Sequence, residues 1–234
     1  MVIMALILHI ETATTVCSVA LAKDGKLLSL KEENKANTHA EKITLFISEV
    51  LKESGKKIQD LDAVAVSSGP GSYTGLRIGI STAKGLCYAL DKPLIAVDTL
   101  KSLANSILSP LDRDSILNSL LVPMIDARRM EVYCGVFDRH LNEVEKISTK
   151  IIDGNSFSDL LEEKEIYFFG DGAEKCKALL LQKRNAIFID NIFASAVSLI
   201  TLANKKFQNK EFEDVALFEP FYLKEFMDQK KSTQ

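Results

Sequence analysis

Hydrophobic periodicity along the chain spells one order of elements twice, β-β-β-α-β-α-β, and so leaves few folds open. In the first half, residues 5–10 read as a buried strand. Residues 17–22 and 26–30 flank Lys23-Asp24-Gly25, and Asp-Gly between apolar runs signals a hairpin. Thr38-His39-Ala40-Glu41 reads as a capping box. Ile43, Phe46, Ile47, Val50 and Leu51 then keep helical spacing until Gly55. A strand at 63–66, a long helix at 73–90 and a strand at 94–97 complete the half. In the second half, strands are predicted at 120–125, 131–137 and 144–152, and a helix near 156–163. A strand at 166–169 comes next, then a helix opened by Gly170-Asp171-Gly172 and running through Leu181. A strand at 186–189 and a helix at 195–207 close the pattern. The repetition is of element order and not of residues. It predicts a duplicated α/β fold with a cleft between halves, divided as residues 1–104 and 105–234. Residues 100–119 read as partly helical, and 228–234 as a frayed polar tail.

Charge and cysteines bound the partners. The 29 Lys and Arg against 32 Asp and Glu leave a net charge of −3. That argues against gripping nucleic acid by bulk charge, though not against a subunit of a complex that handles RNA. Cys17, Cys87, Cys134 and Cys176 lie too far apart for a zinc site or a short disulfide framework. They read as buried free thiols of a reducing compartment. The opening MVIMALILHI is apolar but too short to span a membrane, and it lacks signal-peptide flanks. The expectation is a cytoplasmic protein with no membrane contact.

The most informative stretch is Ser67-Ser68-Gly69-Pro70-Gly71-Ser72-Tyr73-Thr74-Gly75, between a strand and a helix. Backbone N–H groups at such a helix start can bind a phosphate. The plainer reading is a tight turn whose glycines allow positive φ. It is neither a Walker loop nor a nucleophile elbow. In the helix after it, Gly75, Gly79, Ala83 and Cys87 recur every four residues as one small-residue ridge. The pattern leaves open whether that ridge packs on the chain's own sheet or on a second subunit. Asp126-Ala127-Arg128-Arg129 and Glu11-Thr12-Ala13-Thr14-Thr15 sit at corresponding hairpins of the two halves. Facing carboxylates and hydroxyls there could hold a Mg-phosphate, and turn chemistry alone also explains them. The adjacent arginines suit an acidic partner or an RNA phosphate. His9, His39 and His140 stand far apart, so a histidine metal site or a Ser-His-Asp triad has little support.

The stretches IETATTVCSVAL, SSGPGSYTGLRIGISTAKGL, PLIAVDTL, IDARRMEVY and FGDGA, with the ending Glu219-Pro220-Phe221-Tyr222-Leu223-Lys224, resemble the bacterial TsaB (YeaZ) family over nearly the whole chain. The resemblance implies an actin-like ATPase fold of two ribonuclease H-like lobes. It implies a role in making threonylcarbamoyladenosine on tRNA next to the anticodon. There the chain is the non-catalytic partner of TsaD, TsaE joins them, and TsaD carries the metal and performs the transfer. No catalytic residue, metal or required cofactor is then assigned to this chain. Residues 97–104 contain none of the histidines of a TsaD-type metal pair. The family interface uses first-lobe helices both for the homodimer and for pairing with TsaD. That places it on Gly75, Leu76, Gly79, Ala83 and Cys87, with Leu45 alongside, and Gly79→Arg is expected to abolish pairing without unfolding the lobe. The alternative is an enzyme that binds or hydrolyses ATP with Mg. Its cleft would use Glu11, Gly69, Gly71, Ser72, Asp126, Arg128, Gly170 and Asp171. Glu11 stands where the family usually has Asp, and Lys224 where it has Arg, and both weaken a nucleotide site. A glycoprotease-type peptidase ranks last, since no metal pair or nucleophile–base arrangement appears.

Overall fold

In a computed structural model, which describes residues 4–35, 38–108 and 118–224, each half builds a five-stranded mixed sheet. The first begins with an antiparallel meander of β1 (Leu6–Glu11), β2 (Val16–Lys23) and β3 (Lys26–Asn34). Asp24 and Gly25 both take positive φ, 53° and 74°, as the two-residue turn between β2 and β3 requires. The chain then forms α1 (His39–Glu53), β4 (Ala63–Ser67), α2 (Tyr73–Leu90) and β5 (Leu94–Val97), giving the order β3-β2-β1-β4-β5. After α3 (Thr99–Leu108), the second half repeats the meander as β6 (Leu120–Asp126), β7 (Glu131–Phe137) and β8 (Glu143–Ile151). It continues through α4 (Ser158–Glu163), β9 (Ile166–Phe169), α5 (Lys177–Leu180), β10 (Ala186–Ile189) and α6 (Ala196–Asn209). Its sheet order is β10-β9-β6-β7-β8.

The apolar residues explain the layering. On one face of the first sheet Leu8, Ile10, Val19, Leu21, Val64 and Val66 meet Ile43, Phe46 and Val50 of α1 and Leu76, Ile80 and Ala83 of α2. On the other face Ile7, Ala63, Ala65 and Val97 meet Leu199 and Ala203 of α6. Leu100, Leu103 and Ile107 of α3 pack with Leu121, Ile125, Phe137 and Phe169 of the second sheet, and Leu202 of α6 joins them. The outer face of that sheet is closed by Phe157, Leu161, Cys176 and Leu180. The layers are therefore helices, sheet, helices, sheet, helices, with α3 and α6 as the shared filling. Full burial of one such Leu or Phe contributes about 1.5–3 kcal/mol, so this filling ties the lobes firmly. The expected division after residue 104 cuts α3, and α6 returns from the second half to the first sheet.

Three local expectations need correction. Thr38 is the N-cap of α1 but makes no side-chain cap: it sits in the right-handed helical region, φ −95° and ψ −12°, and its hydroxyl donates to the Lys35 carbonyl at 2.8 Å. Gly170-Asp171-Gly172 does not open a continuous helix: a single 3-10 turn (Glu174–Cys176) precedes the four-residue α5. Gly172, ahead of both, is pressed so closely on β6 that an added Cβ would lie 2.8 Å from the Ile125 carbonyl carbon. The helix expected near 156 starts at Ser158, because Phe157 takes positive φ, 60°. All four cysteines are buried free thiols. Of the partly helical linker, residues 109–117 lie outside the described residues, as does the 228–234 tail. Among the described residues no helix is long and apolar enough to cross a membrane.

Candidate functional site

Each lobe carries a glycine-rich loop pressed on its first hairpin, and the two are built alike. In the first lobe β1 and β4 run parallel to the pair Ile10 and Val66, which sets Glu11 beside Ser67. Glu11 is fully buried: its Oε1 accepts from Ala13 N–H at 2.7 Å and from the Ser67 hydroxyl at 2.8 Å, while Oε2 has no partner. Burial pushes its carboxyl up to about 7; the Ala13 and Ser67 hydrogen bonds oppose the rise, and the nearby Asp98 carboxylate adds to it. Asp98, which caps α3 by accepting from Lys101 N–H at 2.7 Å, is likewise raised by burial to about 6.

The glycine-rich loop is spent on the chain's own backbone. Ser72 N–H donates to Ala13 O at 2.6 Å, and the Ser72 hydroxyl caps α2 by accepting from Gly75 N–H at 3.2 Å. A Cβ at Gly71 would stand 2.3 Å from Ala13 O, and one at Gly69, φ 112°, would stand 2.5 Å from Phe221 O. The faces that would cradle a phosphate are thus filled by the first hairpin and by the C-terminal segment.

The second lobe repeats the wedge with different electrostatics. Gly170, φ 105°, lies so close to β6 that a Cβ would stand 2.2 Å from Met124 O. Asp171 accepts from Asp126 N–H at 3.1 Å, and burial raises its carboxyl to about 6. Asp126 occupies the position of Glu11 but is exposed; it accepts from Arg128 N–H at 2.8 Å and pairs with Lys175. Arg128 and Arg129 form the exposed hairpin tip at φ 69° and 51°. The cleft residues are therefore real neighbours within each lobe, yet each set serves its own turn. With the glycine faces filled and no cation in the first loop, these residues do not fit a bound Mg-ATP. Among the described residues, no three His, Cys, Asp or Glu side chains are placed to share a metal ion.

The small-residue ridge of α2 is corrected in the same way. Gly75, Leu76, Gly79, Ala83 and Cys87 are all buried. A Cβ at Gly75 would lie 2.1 Å from Thr12 O, and one at Gly79 would lie 2.2 Å from Thr12 Oγ1. The Thr12 hydroxyl donates to Gly75 O at 2.8 Å. The ridge seats α2 on the first hairpin and cannot meet a partner, and Gly79→Arg would disrupt the lobe itself. The opposite side of α2 carries a second row that the sequence reading missed. Arg77, Ser81, Gly85 and Ala89 also recur every four residues, and all are exposed. Gly85 has open space around it, and Tyr88 beside it is 86% exposed. On the adjacent α1, Leu45 is 55% exposed. The signal was in the sequence: the second row is headed by the charged Arg77, whereas the first holds only Gly, Ala and Cys.

A family model described as "tRNA N6-adenosine threonylcarbamoyltransferase", TsaD, matches residues 31–227. A "tRNA threonylcarbamoyladenosine biosynthesis protein TsaB" from Haemophilus influenzae is 27% identical over 96% of this chain and 96% of its own length. The protein of the same description from Buchnera aphidicola subsp. Schizaphis graminum is 32% identical over 74% of this chain and 81% of its own. The solved structure of YeaZ from Pseudomonas aeruginosa superposes with a TM-score of 0.80 at 25% identity, covering 94% of this chain and all of that one. The sequence match and the superposition agree: the chain belongs to the TsaB (YeaZ) family and has its actin-like fold.

Proposed function

We propose that the chain works in threonylcarbamoyladenosine biosynthesis on tRNA, in the cytoplasm, as the non-catalytic partner of TsaD, with TsaE joining the pair. The observation that carries this reading is the outward face of α2. Ser81, Gly85 and Ala89 are small and exposed, so a partner helix can approach closely there, with exposed Tyr88 beside them and exposed Leu45 on the adjacent α1. Small residues allow close backbone approach, and an aromatic beside them supplies an anchor. Family membership supplies the partner's identity. Alone, the chain pairs with itself through the same face.

The non-catalytic role is supported by how the residues after β5 are used. Thr99, Leu100, Ser102, Leu103 and Ala104 are buried in α3, spent on the packing between the sheets. Light scattering on the chain, alone and mixed with TsaD of the same organism, tests the reading. A self-dimer that converts to a one-to-one complex is expected. A chain whose mass is indifferent to TsaD would sink it.

A further inference from the structure

The segment after α6 is tied down along its length by contacts far apart in sequence. Glu213 pairs with Leu94 at the free edge of β5, its N–H donating to the Leu94 carbonyl at 2.9 Å. Lys84 Nζ on α2 donates to Ala216 O at 3.2 Å and to Phe218 O at 2.9 Å. Phe221 N–H donates to Ser68 O at 2.7 Å, next to the glycine-rich turn. The Tyr222 ring lies 4.7 Å from that of Tyr73, and Lys224 pairs with Glu131 of the second lobe. The segment is a strap that starts at the first sheet's edge, runs along α2, covers the turn and ends on the opposite lobe.

Arg77 joins this strap to the outward face of α2. It is exposed and heads the row Ser81, Gly85, Ala89. Its guanidinium lies 4.1 Å over the Tyr73 ring, and its Nε donates to Tyr222 Oη at 3.4 Å. The docked strap therefore holds the one long cationic side chain of that row in a fixed place at its end. Without Tyr222, Arg77 keeps only the Tyr73 ring and regains part of its rotamer freedom at the end of the row, which a partner must immobilise on binding. Preorganisation of this kind raises affinity without adding a contact, and any such coupling is reciprocal.

We propose that the strap, residues 213–224, is a coupling device: by fixing Arg77 through Tyr222 it presets the α2 face for its partner, and partner binding in turn holds the strap down. The inference rests on the α2 reading above. It is tested by calorimetric titration of TsaD into the full-length chain, Tyr222→Ala, Tyr222→Phe and a chain lacking residues 220–234. Tyr222→Ala and the truncation are expected to bind about tenfold more weakly, a common size for coupled sites. Tyr222→Phe, which keeps the ring against Tyr73 but removes the oxygen that accepts from Arg77, is expected to bind about fivefold more weakly. Amide exchange at Phe221 is expected to slow when TsaD is bound. Should the truncated chain not fold, Tyr222→Ala in the intact chain carries the test. If the wild type binds TsaD and Tyr222→Ala binds equally well, the coupling is overturned while the α2 reading stands. If the wild type binds no TsaD, the α2 reading falls and the coupling with it.

Discussion

The two lobes share one order of elements and one way of wedging a glycine loop against a hairpin, yet they treat the same strand-end carboxylate oppositely. Glu11 is sealed at the end of β1 with one oxygen unpartnered, whereas Asp126 ends β6 in the open, paired with Lys175. The helices beyond the wedge differ too. The first lobe continues into the 18-residue α2, while the second gives a 3-10 turn and the four-residue α5. The scaffold is therefore symmetric in topology but not in the surface it offers outside. Among the described residues, only the first lobe presents a long helix with one small-residue row turned in and another turned out.

The inner and outer rows of α2 give the sharpest contrast to break. Gly75→Ala would push a methyl into the Thr12 carbonyl, and a loss of about 3 kcal/mol is expected in urea unfolding. Next in size is the buried carboxylate. Its pKa is raised in the folded state from 4.5 to about 7, so the native protein holds a proton that the unfolded chain has released. Stability must then fall as pH rises between those values and level off above them. Glu11→Gln is expected to remove its part of that slope, chiefly the part above pH 6 where the raised Asp98 and Asp171 have already ionised, and to gain about 2 kcal/mol at pH 8, read from melts across pH. Gly85→Ala on the outer row meets open space and should stabilise the helix by about 1 kcal/mol at most. Smallest is Asp126→Asn, the second lobe's counterpart of Glu11. It loses one exposed ion pair and should shift stability by less than about 1 kcal/mol. Equal effects at Glu11 and Asp126 would erase the distinction between the lobes.

Much of this was legible in the sequence, and the failures have physical causes. The bounds of α2, β5, β7, β9 and β10 come from local signals, such as the Ser72 cap and the left-handed Asp91 before Pro93. The element order, and through it the two lobes, comes from periodicity alone. Direction was harder. Two rows of four-residue spacing on one helix look alike until the charge of Arg77 in one is weighed against the Gly, Ala and Cys of the other. The short α5 was hidden because nothing local marks its stop: residues 177–184 hold no Gly or Pro. The strap was hidden for the same reason. Its residues have no periodicity, and Tyr222 finds Arg77 only through the fold.

The central claim is that the first lobe meets its partner with the outer row of α2. The most direct measurement is titration of TsaD into two variants of the chain: Gly85→Arg on that row, and Ile151→Arg on the edge strand β8, where Ile151 is 71% exposed. Both positions face solvent, so both variants should fold. The account predicts that Gly85→Arg abolishes binding while Ile151→Arg binds as the wild type does. Undiminished binding by Gly85→Arg would contradict it.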